Sequence, residues 1–228
     1  MPERFYITTA ISYPNGAPHI GHAYELIATD AIARFQRLDG KEVFFLTGTD
    51  EHGLKIEQAA DAAGVTPQQL TDRIAPRFAE AWERLDIPND DFIRPTEERH
   101  KRAVSELLQR CHDAGDIELD VYRGKYCVRC EAYYTDDELL PGDCCPVHET
   151  PVDVLEEENY FFRLSRFEQR LLDWYAAHPG AIVPEFRGNE ALGLIRSGLR
   201  DFSISRTSVA WGIPLPWDES DVMYVWIE

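Results

Sequence analysis

The first fifty residues carry a pattern that few architectures accommodate. Residues 5–11, with the β-branched run Tyr6-Ile7-Thr8-Thr9 inside them, read as a buried strand. A Gly/Pro-rich turn follows, Tyr13-Pro14-Asn15-Gly16-Ala17-Pro18. Tyr24, Ile27, Ala31, Phe35 and Leu38 then recur at spacings of three or four, which predicts an amphipathic helix over residues 21–39, closed by Gly40. Glu42-Val43-Phe44-Phe45-Leu46-Thr47 is a second buried strand. Strand, helix and strand within this length form one βαβ unit, so the sheet is parallel and the crossover right-handed.

That topology decides where chemistry can sit. Open α/β sheets take ligands beyond the C-terminal ends of their strands. Two polar clusters fall there: His19 and His22 at the helix start, and Gly48-Thr49-Asp50-Glu51-His52-Gly53 after the second strand. A helix N-terminus with two imidazoles suits an anion such as phosphate, and a carboxylate at Asp50 suits an ammonium group. The turn matches neither the dinucleotide glycine fingerprint nor the P-loop.

Helices are predicted next over residues 54–63, stopped by Gly64, and from Pro67 to about Leu85 behind the capping box Thr66-Pro67-Gln68-Gln69. Pro76 should kink the second, whose core face is Leu70, Ile74, Phe78 and Leu85. A short strand at residues 91–94 precedes a helix over 96–114, with Cys111 read as a buried structural thiol.

After Asp116 the character changes. A strand over residues 121–126 leads into Cys127-Val128-Arg129-Cys130, and Cys144-Cys145-Pro146-Val147-His148 follows. Two short chelating turns supplying three thiolates and one imidazole fit tetrahedral zinc, with Cys127, Cys130, Cys145 and His148 as ligands. Cys144 competes with Cys145 for one position; the two-residue gap from Cys145 to His148 mirrors the first turn. Four filled positions leave no open site, so the zinc is expected to be structural. The acidic run Glu156-Glu157-Glu158 reads as a solvated strand edge before the strand 159–164. Ser165-x-x-Glu168 predicts a capped helix with Phe167, Leu171 and Trp174 or Tyr175 inward, and Asn189 is expected to cap a helix to Ser197. Residues 222–228 read as a hydrophobic strand.

The bulk composition narrows the class. A net charge of -18 argues against a protein that coats nucleic acid generally, while a local basic face remains open to it. Cysteines clustered in a chain whose first residues carry no signal-peptide core favour metal over disulfides and a reducing cytoplasm, and no apolar run has the length of a membrane span.

The residues His19-Ile20-Gly21-His22, Gly48-Thr49-Asp50-Glu51-His52-Gly53, the Cys-x2-Cys…Cys-x2-His knuckle, Ser203-Ile204-Ser205-Arg206, Trp211-Gly212-Ile213-Pro214 and Tyr224-Val225-Trp226 together resemble the N-terminal part of bacterial-type methionyl-tRNA synthetases, class I enzymes. The resemblance covers the whole chain. It implies an α/β fold: a Rossmann-type HUP nucleotide-binding domain, incomplete here, with an inserted zinc-knuckle connective-peptide domain. Residues 1–115 would be the first half of the catalytic domain, 116–200 the connective peptide and 201–228 the start of the second half. The implied activity is that of a methionine–tRNA ligase, which joins L-methionine to ATP as methionyl-adenylate and transfers it to tRNA(Met), with Mg2+ accompanying ATP. By the same resemblance His19, Gly21, His22 and Glu25 would bind ATP, His19 and His22 being the catalytic pair. Ala10, Ile11, Tyr13, Asp50, Arg206 and Trp226 would bind methionine, Asp50 through its ammonium, Arg206 near its carboxylate, Tyr13 and Trp226 about its thioether.

Resemblance also implies a second Rossmann half with a lysine-rich loop and a helical anticodon-binding domain, neither found before Glu228. The chain therefore reads as an N-terminal fragment. Its alternative is a truncated, non-catalytic zinc-containing module that binds the tRNA acceptor end or a protein partner. Another nucleotidylyl transferase using the same histidine turn would leave the Asp50 loop and the knuckle unexplained.

Overall fold

The computed structural model describes residues 2–130, 132–134, 136 and 138–228, and the side chains of residues 122, 123, 132, 133 and 155–157 are left aside. The side chains of Glu156 and Glu157 in the acidic run thus lie outside the described residues, while Glu158 is exposed. Two compact units divide the chain: Met1–Ser105 with Val209–Ile213 and Glu228, and Glu106–Ser208 with Pro214–Ile227.

The first unit is built on a parallel sheet. Strands β1 (Arg4–Thr8), β2 (Glu42–Gly48) and β3 (Asp91–Ile93) lie in that order, with Tyr6 beside Phe44 and Thr47 beside Phe92. Helix α1 (Ile20–Leu38) makes the first crossover; α2 (Leu54–Ala63) and α3 (Pro67–Arg84) make the second. The capping box at Thr66 forms in full, with Gln69 N–H donating to Thr66 Oγ1 and Thr66 N–H donating to Gln69 Oε1. Gly64 stops α2 in the left-handed conformation. Pro76 lies inside α3 without ending it. Phe45, Ile56, Ala60, Leu70, Ile74, Phe78 and Trp82 form the core between sheet and helices.

Two expectations about that core fail. The apolar series of α1 faces outward: Tyr24 is 76% exposed, Phe35 62% and Leu38 88%. The face turned to the sheet carries Leu26, Asp30 and Ala33, so an aspartate occupies a core-facing position, its charge met by Arg34 Nε at 2.8 Å. A helix with apolar residues on two sides gives periodicity no means to choose between them. Leu85, past the last turn of α3 in a C-cap position, is also exposed. The first strand ends at Thr8, three residues earlier than predicted, and beyond it the isolated bridge Ser12↔Thr49 joins the chain to the residue after β2.

The second unit is antiparallel. Helix α4 (Glu98–Asp113), in which the unit boundary falls, leads to β4 (Ile117–Cys127), which pairs with β5 (Ala132–Tyr134) and β6 (Asp153–Phe162). Cys111 is half-buried on α4 rather than sealed in the core. After a short 3-10 turn, α5 (Glu168–Ala177) and α6 (Glu185–Arg196) follow. The predicted box at Ser165 does not form: Ser165 N–H donates to Asp201, and Glu168 instead accepts from Leu199 N–H at 3.3 Å. Trp174 is half exposed, and Asn189 lies inside α6, whose N-cap is Pro184. Strand β7 (Phe202–Ser203) joins β6, while β8 (Ser205–Arg206), β9 (Pro214–Leu215) and β10 (Asp218–Met223) form a small separate sheet. The terminal strand is thus β10, and Tyr224-Val225-Trp226 lies beyond it in a turn.

Candidate active site and metal centre

Helix α1 begins with an unusual reciprocal cap. The N–H of Gly21 donates to His19 Nδ1 at 3.1 Å, and the N–H of His19 donates to His22 Nδ1 at 3.2 Å. Both Nδ1 atoms act as acceptors, so each neutral ring carries its hydrogen on Nε2. The rings stack at 3.7 Å with an interplanar angle of 19°. A Cβ on Gly21 would meet the His19 ring at 3.0 Å, so glycine between the two histidines keeps that ring in its capping position. His22 also packs against the buried Phe78, 5.2 Å between centroids. Burial, then the neighbouring charge of His19, pushes the His22 imidazole below its ordinary pKa. The helix start thus combines a positive dipole end with two Nε2 donors, an arrangement suited to an anion.

The turn before α1 is tied to it. Glu25 Oε1 accepts from Ala10 N–H at 2.7 Å, one helical turn past the histidines. Thr9 and Thr47 hydroxyls meet at 2.8 Å across β1 and β2. Asp50 N–H donates to Ser12 O at 2.9 Å. The end of β1 and the loop after β2 are therefore joined by hydrogen bonds at the same sheet end.

The loop after β2 is anchored more heavily than its sequence announces. Gly48 lies so close to β3 that an added Cβ would sit 2.1 Å from Ile93 O. Glu51 is fully buried. Its carboxylate accepts from Arg94 Nε at 2.6 Å and Nη2 at 3.0 Å, from Thr49 Oγ1 at 2.7 Å and from Thr96 Oγ1 at 2.5 Å. Trp211 Nε1 donates to the Glu51 carbonyl at 2.6 Å, while Glu57 accepts from the N–H groups of Ala210 and Trp211. His52 Nδ1 lies 2.6 Å from Glu228 Oε1.

Ala10, Ile11, Tyr13, His19, Gly21, His22, Glu25 and Asp50 all belong to the first unit, around this sheet end. Tyr13 is half-buried under the Lys55 ammonium, 4.7 Å from its ring centre. Arg206 and Trp226 belong to the second unit. There Arg206 is buried, donating to Ser203 Oγ at 2.8 Å and Ser205 O at 2.7 Å, with its guanidinium 4.0 Å over the Tyr224 ring. Trp226 is 65% exposed. Sequence reasoning named Glu51 and Trp211 only inside the motifs that carry the resemblance and gave no role to either, nor to Arg94 and Thr96. No local pattern links positions more than forty apart; an acidic residue next to Asp50 was the only available hint.

Cys127, Cys130, Cys145 and His148 bring one ligand atom each within 4.8 Å of one another. Cys130 Sγ is 3.4 Å from Cys145 Sγ and 3.2 Å from His148 Nδ1, and Cys127 Sγ is 3.8 Å from that nitrogen. Ligands about 2.3 Å from a tetrahedral ion lie about 3.8 Å apart, so the set fits zinc. Val147 N–H points at Cys145 Sγ, 3.4 Å, and Tyr134 O–H at Cys130 Sγ, 3.1 Å. Cys144 stands aside, its thiol toward Gly142 O.

The family model for tRNA synthetases class I (M) matches residues 5–152 and 138–228. The chain belongs to that family. Among relatives of the class I (M) synthetases, the chain is 55% identical over 227 residues to the methionine–tRNA ligase of Rhizobium meliloti, covering 98% of this chain and 44% of that one. It is 47% identical over 234 residues to the methionine–tRNA ligase of Streptomyces coelicolor, covering 99% and 44%. Among solved structures, the methionyl-tRNA synthetase of Mycobacterium tuberculosis in complex with methionyl-adenylate superposes with a TM-score of 0.94 at 51% identity, covering 99% of this chain and 45% of that one. The chain spans less than half the length of the relatives it matches. The α/β fold is thereby that of a class I synthetase catalytic domain. Among the described residues, no helix is long and apolar enough to cross a membrane.

Proposed function

We propose that the chain is the N-terminal part of a methionine–tRNA ligase. The methionine carboxylate attacks the α-phosphorus of ATP, the bond from that phosphorus to the bridging oxygen breaks, and pyrophosphate leaves. The terminal ribose hydroxyl of tRNA(Met) then takes the methionyl group and releases AMP. The observation that carries this reading is the reciprocal histidine cap, whose Nδ1 atoms are taken by backbone N–H groups and so leave Nε2 as the donor of each ring at the helix start.

His19 and His22 would donate to the phosphates as charge shifts onto the departing pyrophosphate, a contribution of position and charge rather than covalent catalysis. Gly21 lets the nucleotide approach the backbone. Glu25 already holds Ala10, so its part in ATP binding is to shape the turn beneath the adenosine. Asp50 would accept the methionine ammonium. Ala10, Ile11, Tyr13 and Trp226 are assigned to the side chain, where aromatic rings favour a polarisable sulfur, and Arg206 to the carboxylate. Mg2+ bound with ATP would neutralise phosphate charge. Zinc held by Cys127, Cys130, Cys145 and His148 would be structural, since four protein ligands close its sphere. Residues 116–200 would form the connective peptide between 1–115 and the second half beginning at 201, in a cytoplasmic enzyme.

The test is methionine-dependent ATP–pyrophosphate exchange, measured on the chain extended to the length of its relatives. Exchange with methionine, lost in Asp50→Asn, is expected. Exchange supported by leucine or cysteine and not by methionine would overturn the assignment. Calorimetric titration of the present chain with methionine separates the ligase from a zinc module, which would bind none.

A further inference from the structure

The Glu51–Arg94 pair has no place in the chemistry just described, yet it is a doubly hydrogen-bonded ion pair with a fully buried carboxylate, and Arg94 Nη2 also donates to Asp72 at 2.7 Å. A fully buried carboxylate accepts four hydrogen bonds, two of them from one guanidinium in the fork geometry that arginine alone supplies. Core packing needs no such group, and a buried pair contributes little net stability over apolar side chains of equal size. It does fix geometry. Arg94 follows β3 directly and Thr96 lies two residues on, so the pair clamps the β2 loop to the end of the neighbouring strand.

What the clamp holds is the backbone on both sides of Asp50. Asp50 N–H is bound to Ser12 O at 2.9 Å. The next residue is fixed by its side chain through Arg94 and by its carbonyl through Trp211 Nε1. With the peptide before Asp50 pinned at its N–H and the residue after it held at side chain and carbonyl, the Asp50 backbone is fixed from both sides. We infer that Glu51, clamped by Arg94, is a positioning residue that sets Asp50 to receive the ammonium group of the amino-acid substrate. The inference rests on the function proposed above. Its distinctive consequence is selective: disturbing Glu51 should weaken recognition of the ammonium group and spare the rest of the amino acid.

The experiment uses Glu51→Gln, which keeps shape and loses charge, and Arg94→Lys, which keeps charge and loses the fork. Amide hydrogen exchange in the ligand-free chain comes first. Both variants should speed exchange at Asp50, with the β1 and β2 amides at wild-type protection; unchanged exchange at Asp50 overturns the clamp. Calorimetry with L-methionine and with its desamino analogue, 4-(methylthio)butanoate, comes second. In both variants methionine should bind about tenfold more weakly, while the desamino analogue keeps its wild-type affinity. Equal weakening of both ligands would mean general damage and refute positioning. If the wild-type chain does not prefer methionine over the desamino analogue, the assignment of Asp50 fails instead, and the exchange data still decide whether Glu51 orders the loop.

Discussion

Substituting Gly48 by alanine tests how the sheet end is built. The added Cβ would stand 2.1 Å from Ile93 O and 2.8 Å from Ile93 Cγ2, against an ordinary contact of 3.4 Å or more. The nearer atom is backbone, so no rotamer change relieves the overlap, and β2 and β3 must separate by about 1.3 Å. That displacement stretches the bond from Thr49 N–H to Ile93 O beyond reach from its present 3.2 Å. A lost hydrogen bond costs about 1 kcal/mol net, and strain from overpacking adds about 2 kcal/mol. The expected loss is thus about 3 kcal/mol. Gly16→Ala is the control: nothing lies within 4 Å of its Cβ position, so the change stays within about 0.5 kcal/mol. Urea unfolding followed by the indole resonances of Trp82 and Trp211 reads the first unit alone. A Gly48→Ala protein within about 0.5 kcal/mol of wild type would refute the close approach of the two strand ends.

Removal of Phe78, fully buried between His22 and Trp82, should cost about 3–5 kcal/mol as Phe78→Ala; a loss below about 1 kcal/mol in the same assay would show that the site is not packed. Tyr134→Phe removes the hydroxyl that faces Cys130 Sγ, so chelator-driven zinc release should quicken about tenfold or more; an unchanged release rate excludes that hydroxyl as a support of the metal centre. Acid should destabilise the first unit before its carboxylates titrate. Burial lowers the pKa of His100, near Glu228, His52, Glu97 and Arg99, and also that of His22. Below the ordinary histidine value of 6.5 the unfolded chain takes up protons that the folded chain resists, so stability falls as pH drops from there. His100→Gln should flatten the thermal midpoint between pH 7 and 5.5, and an identical slope in the variant would contradict this.

Much of the scaffold was legible because it is local. Spacing alone placed α2 between Leu54 and Gly64 and the cap at Thr66, since those signals lie within a turn of the residues they act on. The parallel pairing of β1 with β2 followed from the length of the crossover. The outward face of α1 was not legible, because Tyr24 and Phe35 satisfy helical periodicity as well as Leu26 and Ala33 do. Nor was the longer α6, where Pro184 rather than Asn189 is the N-cap. Within the candidate site, His19, His22 and Asp50 stood out by residue type and by their place after strands. The Glu51 clamp did not, because its partners Arg94, Thr96 and Trp211 come from remote segments that only folding brings together.

The reciprocal cap at His19 and His22 has a consequence for reading mutant data at this helix. Each imidazole both begins the helix and determines which of its own nitrogens keeps the hydrogen. Replacing either one therefore leaves a backbone N–H of the helix start without its acceptor and breaks the ring stack, along with the missing donor. Single substitutions here will overstate what one ring contributes, and the pair will be strongly non-additive in a double-mutant cycle. An effect measured at either ring therefore belongs to the stacked pair and the helix start it caps.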